Sequence, residues 1–300
     1  MAVLILENRP NLKRVTVPID ALKIVDLNAS HLAGALALSK EVYWNQALDD
    51  WSMMLEAGRA IGFEDSNGKL IASGLTLPYG NQFGWISMVI VTELWRKNGL
   101  ATQLLNACIR RLEDQGLVPV LDATPAGQNV YRPLKFRPHF IFQRWEHASV
   151  ETIIGNNPQN LMIHPFNKVD TQGIIATDLT VFGGDRRLVI ENLIGRSSHL
   201  AAVTDDQEGF VLGRDGRAAV QIGPICANSS EAAIELLNHA LAASSGPVFI
   251  DACDHQKKFT TRLREYGFRP QRPFLRMAKG RAKYFGQPEK MFAMAGPELG

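Results

Sequence analysis

The stretch GWISMVIVTELWRKNGLA, residues 84–101, carries the strongest structural signal in this chain. Residues 84–91 are a nearly continuous apolar run, which is typical of a strand buried on both faces of a sheet. From Leu100 the apolar residues recur with helical spacing to about Gln115, and Gly116 supplies a helix stop. A buried strand that leads through a short turn into an amphipathic helix indicates an α/β arrangement.

The turn itself has a composition suited to a diphosphate. A helix start offers unpaired backbone N–H groups and roughly half a positive charge from the helix dipole. Gly99 and Ala101 lack bulk, so phosphate oxygens could approach those amides closely. Arg96 and Lys97 would add cationic contacts, and the Thr102 hydroxyl could donate one more hydrogen bond. The pattern is short and common, and it is neither a P-loop nor a dinucleotide fingerprint, so its meaning depends on its neighbours.

The flanking sequence supplies that context. Upstream, 22–25 is a compact strand candidate, 29–57 has the spacing of one or two amphipathic helices, and 60–74 is a hairpin around an Asn-Gly turn. Downstream, 118–123 is the next strand and 129–134 a short helix or turn. The order strand, helix, strand predicts a right-handed crossover or its splayed variant.

Three blocks together resemble the GNAT superfamily of acyl-CoA-dependent N-acetyltransferases over about residues 20 to 145. They are the strand 88–91, the loop 96–101 and the pattern Val130-Tyr131-x-x-Leu134-x-Phe136. Lys135 departs from the family, which usually has glycine there. The stretch 121–127 is similar to a bacterial subgroup with a second GNAT-like domain. The resemblance implies an α/β (α+β) fold of tandem GNAT-like domains, each with a mixed, splayed central sheet flanked by helices.

The resemblance also implies roles for individual residues. Tyr131 would lie near the thioester sulfur and protonate the departing thiolate as general acid. Asn129 would hold the pantetheine arm from one side. Backbone groups of the central strand would pair with the pantetheine amides from the other side, at Val89, Ile90 and Val91. The pyrophosphate would be held by the loop residues Arg96, Lys97, Asn98, Gly99, Leu100, Ala101 and Thr102.

On this basis we expect an enzyme that moves an acetyl group from the co-substrate acetyl-CoA to a primary amine by direct attack, without a metal. The alternative is a noncatalytic acyl-CoA-binding sensor or scaffold on the same fold, since a fold alone does not establish catalysis. Retention of Tyr131 favours turnover. The acceptor, a small-molecule or peptide amine, is left open.

The general base is also left open. Glu41, Asp49 and Asp50 lie on the early helices, which shape the acceptor site in this superfamily, but exposed helical acids commonly serve solubility and local ion pairs. Asp122 ends a strand beside the expected cleft. Its sequence context recurs at Asp251, which favours a structural role for both carboxylates.

Two further groups of residues have a structural and a functional interpretation. Trp44 and Trp51 lie seven positions apart on one helical face, and we expect them in the core rather than in the wall of a substrate pocket. The sequence Cys253-Asp254-His255 is too compact for a catalytic triad and has too few ligands for a zinc site.

The second half of the sequence partly repeats the first. Residues 104–106 and 136–138 recur at an offset of 132. This repeat predicts a catalytic GNAT domain over 1–150 and a C-terminal GNAT-like domain over 151–300, with a connection at 151–167. The same offset places Glu231 opposite Gly99 and Leu263 opposite Tyr131, so the second domain is expected to lack the pyrophosphate loop and the acid.

Composition limits the remaining functional classes. Of 300 residues 46% are hydrophobic, and 32 basic side chains against 30 acidic ones leave a net charge of +2. No apolar run approaches the roughly 18 residues that span a bilayer. Three scattered cysteines argue against a disulfide scaffold. We therefore expect a cytoplasmic protein with no membrane partner, and leave open whether it forms a homo-oligomer.

One tract departs from this neutral average. Residues 257–283 hold ten basic side chains and a single acid, Glu265. No nucleic-acid motif accompanies the tract, which argues against a nucleic-acid partner. We expect a solvated helix face followed by a strand edge.

Overall fold

The computed structural model describes Leu22 and residues 24–150 and 163–300. Most of the predicted connection at 151–167 therefore lies outside the described residues. Within them, thirteen strands form one mixed sheet flanked by eight α-helices, and no helix there is both long and apolar enough to cross a membrane. The strands are β1 Ile24–Asp26, β2 Arg59–Glu64, β3 Leu70–Tyr79, β4 Phe83–Val91, β5 Val118–Ala123, β6 Phe136–His147, β7 Ile163–Pro165, β8 Ala202–Thr204, β9 Phe210–Arg214, β10 Val220–Cys226, β11 Val248–Cys253, β12 Arg269–Lys279 and β13 Met291–Ala293. The helices are α1 Leu32–Glu41, α2 Leu48–Ala57, α3 Leu100–Glu113, α4 Pro125–Tyr131, α5 Thr171–Phe182, α6 Arg187–Ser197, α7 Ser230–Ala242 and α8 Lys257–Glu265.

The predicted strand and helix around residues 84–101 are present as β4 and α3. One face of α3 is buried against the sheet, and it carries Leu104, Cys108 and Leu112. Gly84 of β4 allows this close packing, because a Cβ atom there would lie 2.4 Å from Cδ2 of Leu112. The mixed α/β fold expected from the sequence is confirmed.

Strands β4 and β5 diverge after a short parallel pairing. They are in register at 83–85 with 118–120, and in the described structure no further pair joins them. A β-bulge accompanies the divergence: Met88 has a φ of +51°, and Oγ of Ser73 donates a hydrogen bond of 2.8 Å to its carbonyl oxygen. A bulge twists and bends its strand, so it turns the end of β4 away from β5.

The two halves of the chain exchange a strand. The order across the centre of the sheet is β4-β5-β12-β6-β11, so β12 lies between β5 and β6, and β6 lies beside β11. Each half therefore completes the sheet of the other. The basic tract at 257–283 includes β12, so the expectation of a strand edge is wrong: β12 has a strand on each side.

The second half repeats the order of elements seen in the first. The series β9-β10-α7-β11-α8-β12 corresponds to β3-β4-α3-β5-α4-β6. Strands β10 and β11 likewise pair in parallel at 220–222 with 248–250 and then separate. Here, however, β13 fills the gap, because Ala293 pairs with Ile225 of β10 and with Ala252 of β11.

Candidate functional site

A cleft of about 140 Å³ opens between the diverging ends of β4 and β5. Both halves of the chain contribute to its walls, because β12 and the last residues of the chain reach it. From the first half the cleft is lined by Trp44, Gln46, Ser87, Met88, Val89, Asp122, Thr124, Tyr131 and Arg144, among others. From the second half it is lined by Arg272, Phe274, Pro297 and Glu298.

The predicted strand residues lie along one side of this opening. Val89 lines the cleft, Ile90 is buried and Val91 is half-buried. Over Ser87–Val91 the described partner of β4 is β3, which leaves the β5-facing edge of the strand without a neighbour. An extended chain with amide groups could therefore pair with this edge as an added strand.

The loop before α3 has the backbone shape that the sequence suggested. Lys97 and Gly99 both have positive φ, at +64° and +80°. No side chain caps the first turn of α3, and a Cβ atom at Gly99 would meet nothing within 4 Å. Ala101 and Thr102 are exposed beside it, while Leu100 is buried. The helix therefore presents open N–H groups and its positive dipole end to solvent.

Glu41 supports this loop instead of standing free as a base. Its carboxylate accepts hydrogen bonds of 2.6 Å from Oγ1 of Thr92 and from the backbone N–H of Glu93. Arg96 lies next to it, 4.0 Å away, and donates from Nε to the carbonyl oxygen of Val91 at 3.0 Å. The arginine is thus held against the turn that ends β4.

Tyr131 reaches the cleft from the end of α4. The helix is capped by Thr124, whose Oγ1 accepts a bond of 3.3 Å from the N–H of Gly127, and the Tyr131 ring packs on Phe136 with centroids 5.9 Å apart. Its hydroxyl has no hydrogen-bond partner among the described residues, and burial raises the pKa of Tyr131 above its ordinary value. Asn129, on the same helix, is exposed and does not line the cleft.

The departure at Lys135 leaves the turn after Tyr131 intact. Lys135 adopts a φ of +67°, the left-handed conformation that glycine enters without penalty. Its carbonyl oxygen accepts a hydrogen bond of 3.0 Å from the N–H of Gly280, just beyond β12. The lysine therefore occupies the same backbone region that makes glycine favourable at this position.

The early acids do not converge on the cleft. Asp50 is fully buried between Arg196 at 2.7 Å and Arg214 at 3.1 Å, and Asp49 is exposed. The carboxylate that does reach the cleft from this network is Glu298, which is ion-paired with Arg214. Glu298 is therefore a candidate general base that the sequence analysis did not name.

The two aspartates that recur in the sequence form matching buried ion pairs. Arg276 of β12 donates two hydrogen bonds of 2.9 Å to Asp122 of β5. Arg144 of β6 donates bonds of 2.9 and 2.7 Å to Asp251 of β11. The structural role expected for Asp122 is therefore observed, and each pair ties an exchanged strand to its neighbour.

Arg272 is the cationic group of the cleft that has no acidic partner. It lies on the exchanged strand β12, opposite Arg144 in the β12–β6 register. Its Nε is buried, and among the described residues its guanidinium makes no hydrogen bond or ion pair, only a contact with the Phe274 ring at 5.1 Å. Burial and the charge of Arg144 lower the pKa of Arg272 to about 10.

Two neutral groups in the cleft are also unsatisfied. Oγ of Ser87 and Oε1 of Gln46 are buried and have no hydrogen-bond partner within the described part of the chain. Trp44 is half-buried, packs against the core and also lines the cleft, whereas Trp51 is fully buried as expected. Sequence analysis named Trp44 but neither Ser87 nor Gln46, because no short motif marks either side chain. It did not place Arg272 or Glu298 in the cleft, because both come from the second half of the chain.

The corresponding positions of the second half are arranged differently. Helix α7 is capped by Ser229, whose Oγ accepts a bond of 3.1 Å from the N–H of Ala232. Glu231 lies in its first turn and pairs with Lys258 at 3.1 Å. Leu263 is fully buried. The helix start that would correspond to the open one of α3 thus carries a side-chain cap and a negative charge.

Comparisons with known proteins agree with this two-part architecture. The model of the Acetyltransferase (GNAT) family matches residues 31–136, and the model of an Acetyltransferase (GNAT) domain matches residues 174–293. The uncharacterized N-acetyltransferase YitH of Bacillus subtilis (strain 168) is 26% identical over an alignment of 252 residues, and the match covers 82% of this chain and 87% of that protein.

Two solved structures share the fold over most of the chain. A putative acetyltransferase from Pyrococcus horikoshii has a TM-score of 0.77 at 18% identity, covering 98% of this chain and 99% of its own. A tandem GNAT protein from the clavulanic acid biosynthesis pathway has a TM-score of 0.60 at 10% identity, covering 87% of this chain and 100% of its own.

Proposed function

The chain belongs to the GNAT superfamily of acetyltransferases, with one GNAT domain in each half, and we propose that its first half transfers an acetyl group from acetyl-CoA to a primary amine. The observation that carries the proposal is the cleft between β4 and β5. Its wall includes a free strand edge and Tyr131, whose hydroxyl has no partner among the described residues. The open start of α3 lies outside this wall and follows the same strand, β4, along the chain.

The residues present in the first half fit an acyl-CoA. Val89–Val91 would pair with the pantetheine amides, the N–H groups from Lys97 through Thr102 would hold the pyrophosphate, and Arg96 and Asn98 would support that loop. Asn129 would contact the pantetheine arm from α4, where it is exposed. Bound in this way, acetyl-CoA would supply the acyl group as a reactive thioester.

The residues of the second half do not fit the same ligand. Strand β13 occupies the gap between β10 and β11, where a pantetheine arm would have to enter. The negative charge of Glu231 at the start of α7 would repel a pyrophosphate. We therefore assign the second domain a structural role. Through β12 and the last residues of the chain it forms one wall of the cleft.

Acetyl transfer needs an attacking amine and a proton for the leaving thiolate. The nitrogen lone pair of the neutral amine forms a bond to the thioester carbonyl carbon, and the carbon–sulfur bond breaks. Tyr131 gives its hydroxyl proton to the sulfur, and the proton lost by the nitrogen restores the phenol through water. An ordinary phenol, with a pKa of about 10, is a weaker acid than a thiol of about 8.5. Burial raises the pKa of Tyr131 and widens this difference, so the return of the proton from the amine is part of the cycle.

The direct test is thiol release from acetyl-CoA across a panel of primary amines, with Tyr131→Phe and the exposed Tyr43→Phe as matched variants. We expect turnover by the parent protein and a loss of about 100-fold or more in kcat for Tyr131→Phe alone, the range of general acid catalysis. Calorimetry should find one coenzyme A per chain. Coenzyme A binding without amine-dependent thiol release would favour the sensor, and no binding at all would overturn the proposal.

A further inference from the structure

The cleft carries one positive charge that no described partner balances. Four charged residues line it: Asp122, Arg144, Arg272 and Glu298. Three of them are neutralised by buried partners outside the cleft wall, through the pairs Asp122–Arg276, Arg144–Asp251 and Glu298–Arg214. The guanidinium of Arg272 is left without such a partner in the described structure.

The neighbouring carboxylates are bound by other arginines, and among the described residues none forms an ion pair with Arg272. Asp251 accepts two bonds from Arg144 and a third, of 3.0 Å, from Nε2 of Gln221. Asp122 accepts both of its bonds from Arg276. Glu298 is held by Arg214. An anion that enters the cleft would therefore find one preformed, uncompensated cation.

The surroundings of Arg272 favour a bound anion over an empty site. Its Nε is withdrawn from water without a hydrogen bond, and such a buried donor is costly until a partner arrives. Arg144 lies directly opposite on β6, but its charge is already paired with Asp251, so Arg272 is the group left to bind an anion. Arginine binds a carboxylate through two parallel N–H···O bonds, which fixes the orientation of the ligand.

From this arrangement we propose that the acceptor amine carries a carboxylate, as an amino acid does, and that Arg272 binds that carboxylate. The inference rests on the proposed function, since it names the substrate class of the same cleft. The buried Ser87 Oγ and Gln46 Oε1 offer a donor and an acceptor to the remaining polar atoms of such a ligand. Arg272 is thus a specificity residue that the second half of the chain supplies to the site of the first.

The first experiment measures ligand binding without any turnover. Calorimetry compares N-acetyl amino acids, which resemble the product, with the matched N-acetyl amino acid amides, in the parent protein, in Arg272→Gln and in Arg269→Gln. Arg269 is an exposed residue of the same strand and serves as control. We expect at least one acid to bind about 10-fold or more tightly than its amide, and Arg272→Gln alone to abolish that preference.

The second experiment measures kinetics with free amino acids and their amides as acceptors. Arg272→Gln should raise KM for the acid about 10- to 100-fold, leave KM for the amide unchanged and leave kcat at saturation nearly unchanged. Arg272→Lys keeps the charge but not the paired donors, so it should recover part of the affinity.

The outcomes separate the two proposals. If amines are acetylated but acids and amides bind and react alike, or if Arg272→Gln keeps the preference for acids, the carboxylate proposal is overturned and the transferase function stands. If coenzyme A fails to bind the parent protein, the transferase function fails, while the calorimetric comparison of acids and amides still decides for or against a carboxylate site at Arg272.

Discussion

Arg276 holds Asp122 through two hydrogen bonds of 2.9 Å, although 154 positions separate them in the sequence. The pair Arg144–Asp251 repeats this relationship on the other side of the exchanged strands, with bonds of 2.9 and 2.7 Å. Both arginines belong to strands that cross from one half of the chain to the other. The two pairs therefore connect the halves at the centre of the sheet, and Asp122 and Arg144 also line the cleft.

Removing one carboxylate of such a pair should destabilise the whole protein. In Asp251→Asn the charge of Arg144 remains buried without compensation. Burial alone would lower the pKa of Arg144, and Asp251 is what raises it. We expect a loss of about 3–5 kcal/mol in the free energy of unfolding, measured by urea denaturation. Glu113→Gln, which breaks a partly exposed pair with Lys279, should cost about 1 kcal/mol or less. Equal losses in the two variants would contradict the larger stabilisation expected from the buried pair.

Gly99 should matter for coenzyme A binding through its backbone conformation. Gly99 and Gly68 have similar positive φ values, +80° and +73°, and a Cβ atom would meet nothing within 4 Å at either position. Alanine at either site should therefore cost about 1 kcal/mol of stability. Only Gly99→Ala should also weaken coenzyme A binding, by about 10-fold in calorimetry, because it disturbs the N–H groups at the start of α3. Equal coenzyme A affinity in both variants would argue against this binding site.

The pH dependence of turnover should reflect the raised pKa of Tyr131. Burial favours the neutral phenol, so the acid stays protonated past its ordinary value of 10.0. The folded state binds this proton more tightly than the unfolded state. The contribution of Tyr131 to the free energy of unfolding is therefore fully present below pH 10 and is lost as the pH rises above it. We expect kcat, measured with both substrates saturating, to show no alkaline fall below pH 10. A fall centred below pH 10 that disappears in Tyr131→Phe would contradict the burial argument.

Tyr79 should position the end of the chain in the cleft. Its buried hydroxyl donates a bond of 2.9 Å to the carbonyl oxygen of Leu299, and Nε1 of Trp85 donates one of 3.0 Å to that of Pro297. Tyr79→Phe should cost about 1–2 kcal/mol in urea denaturation. It should also raise KM for the acceptor amine several-fold and leave coenzyme A affinity unchanged, since Pro297 and Glu298 line the acceptor side. An unchanged KM for the acceptor amine would show that the chain end does not contribute to acceptor binding.

Local sequence patterns predict much of the first half of the fold, although β6 is not among the predicted strands. The apolar run at 84–91, the helical spacing after Leu100 and the glycine between them lead to β4, the open helix start and α3, because each depends on neighbours within a few residues. Tyr131, which lies one short helix beyond β5, is selected by the family resemblance rather than by a local pattern. The recurrence of the Asp122 context at Asp251 indicates a structural role for both carboxylates, although it does not identify their partners.

Only the tertiary structure determines which residues complete the cleft. Arg272 and Glu298 reach it because β12 crosses between β5 and β6 and because the chain end folds back along β3 and β4. Nothing in the composition of 257–283 distinguishes a solvated strand edge from a central strand, since the pairing partner of β12 is more than 120 residues away. Strand exchange between two similar halves depends on long-range hydrogen bonding and buried charge pairing, and a periodicity read along one strand does not contain the identity of the strand beside it.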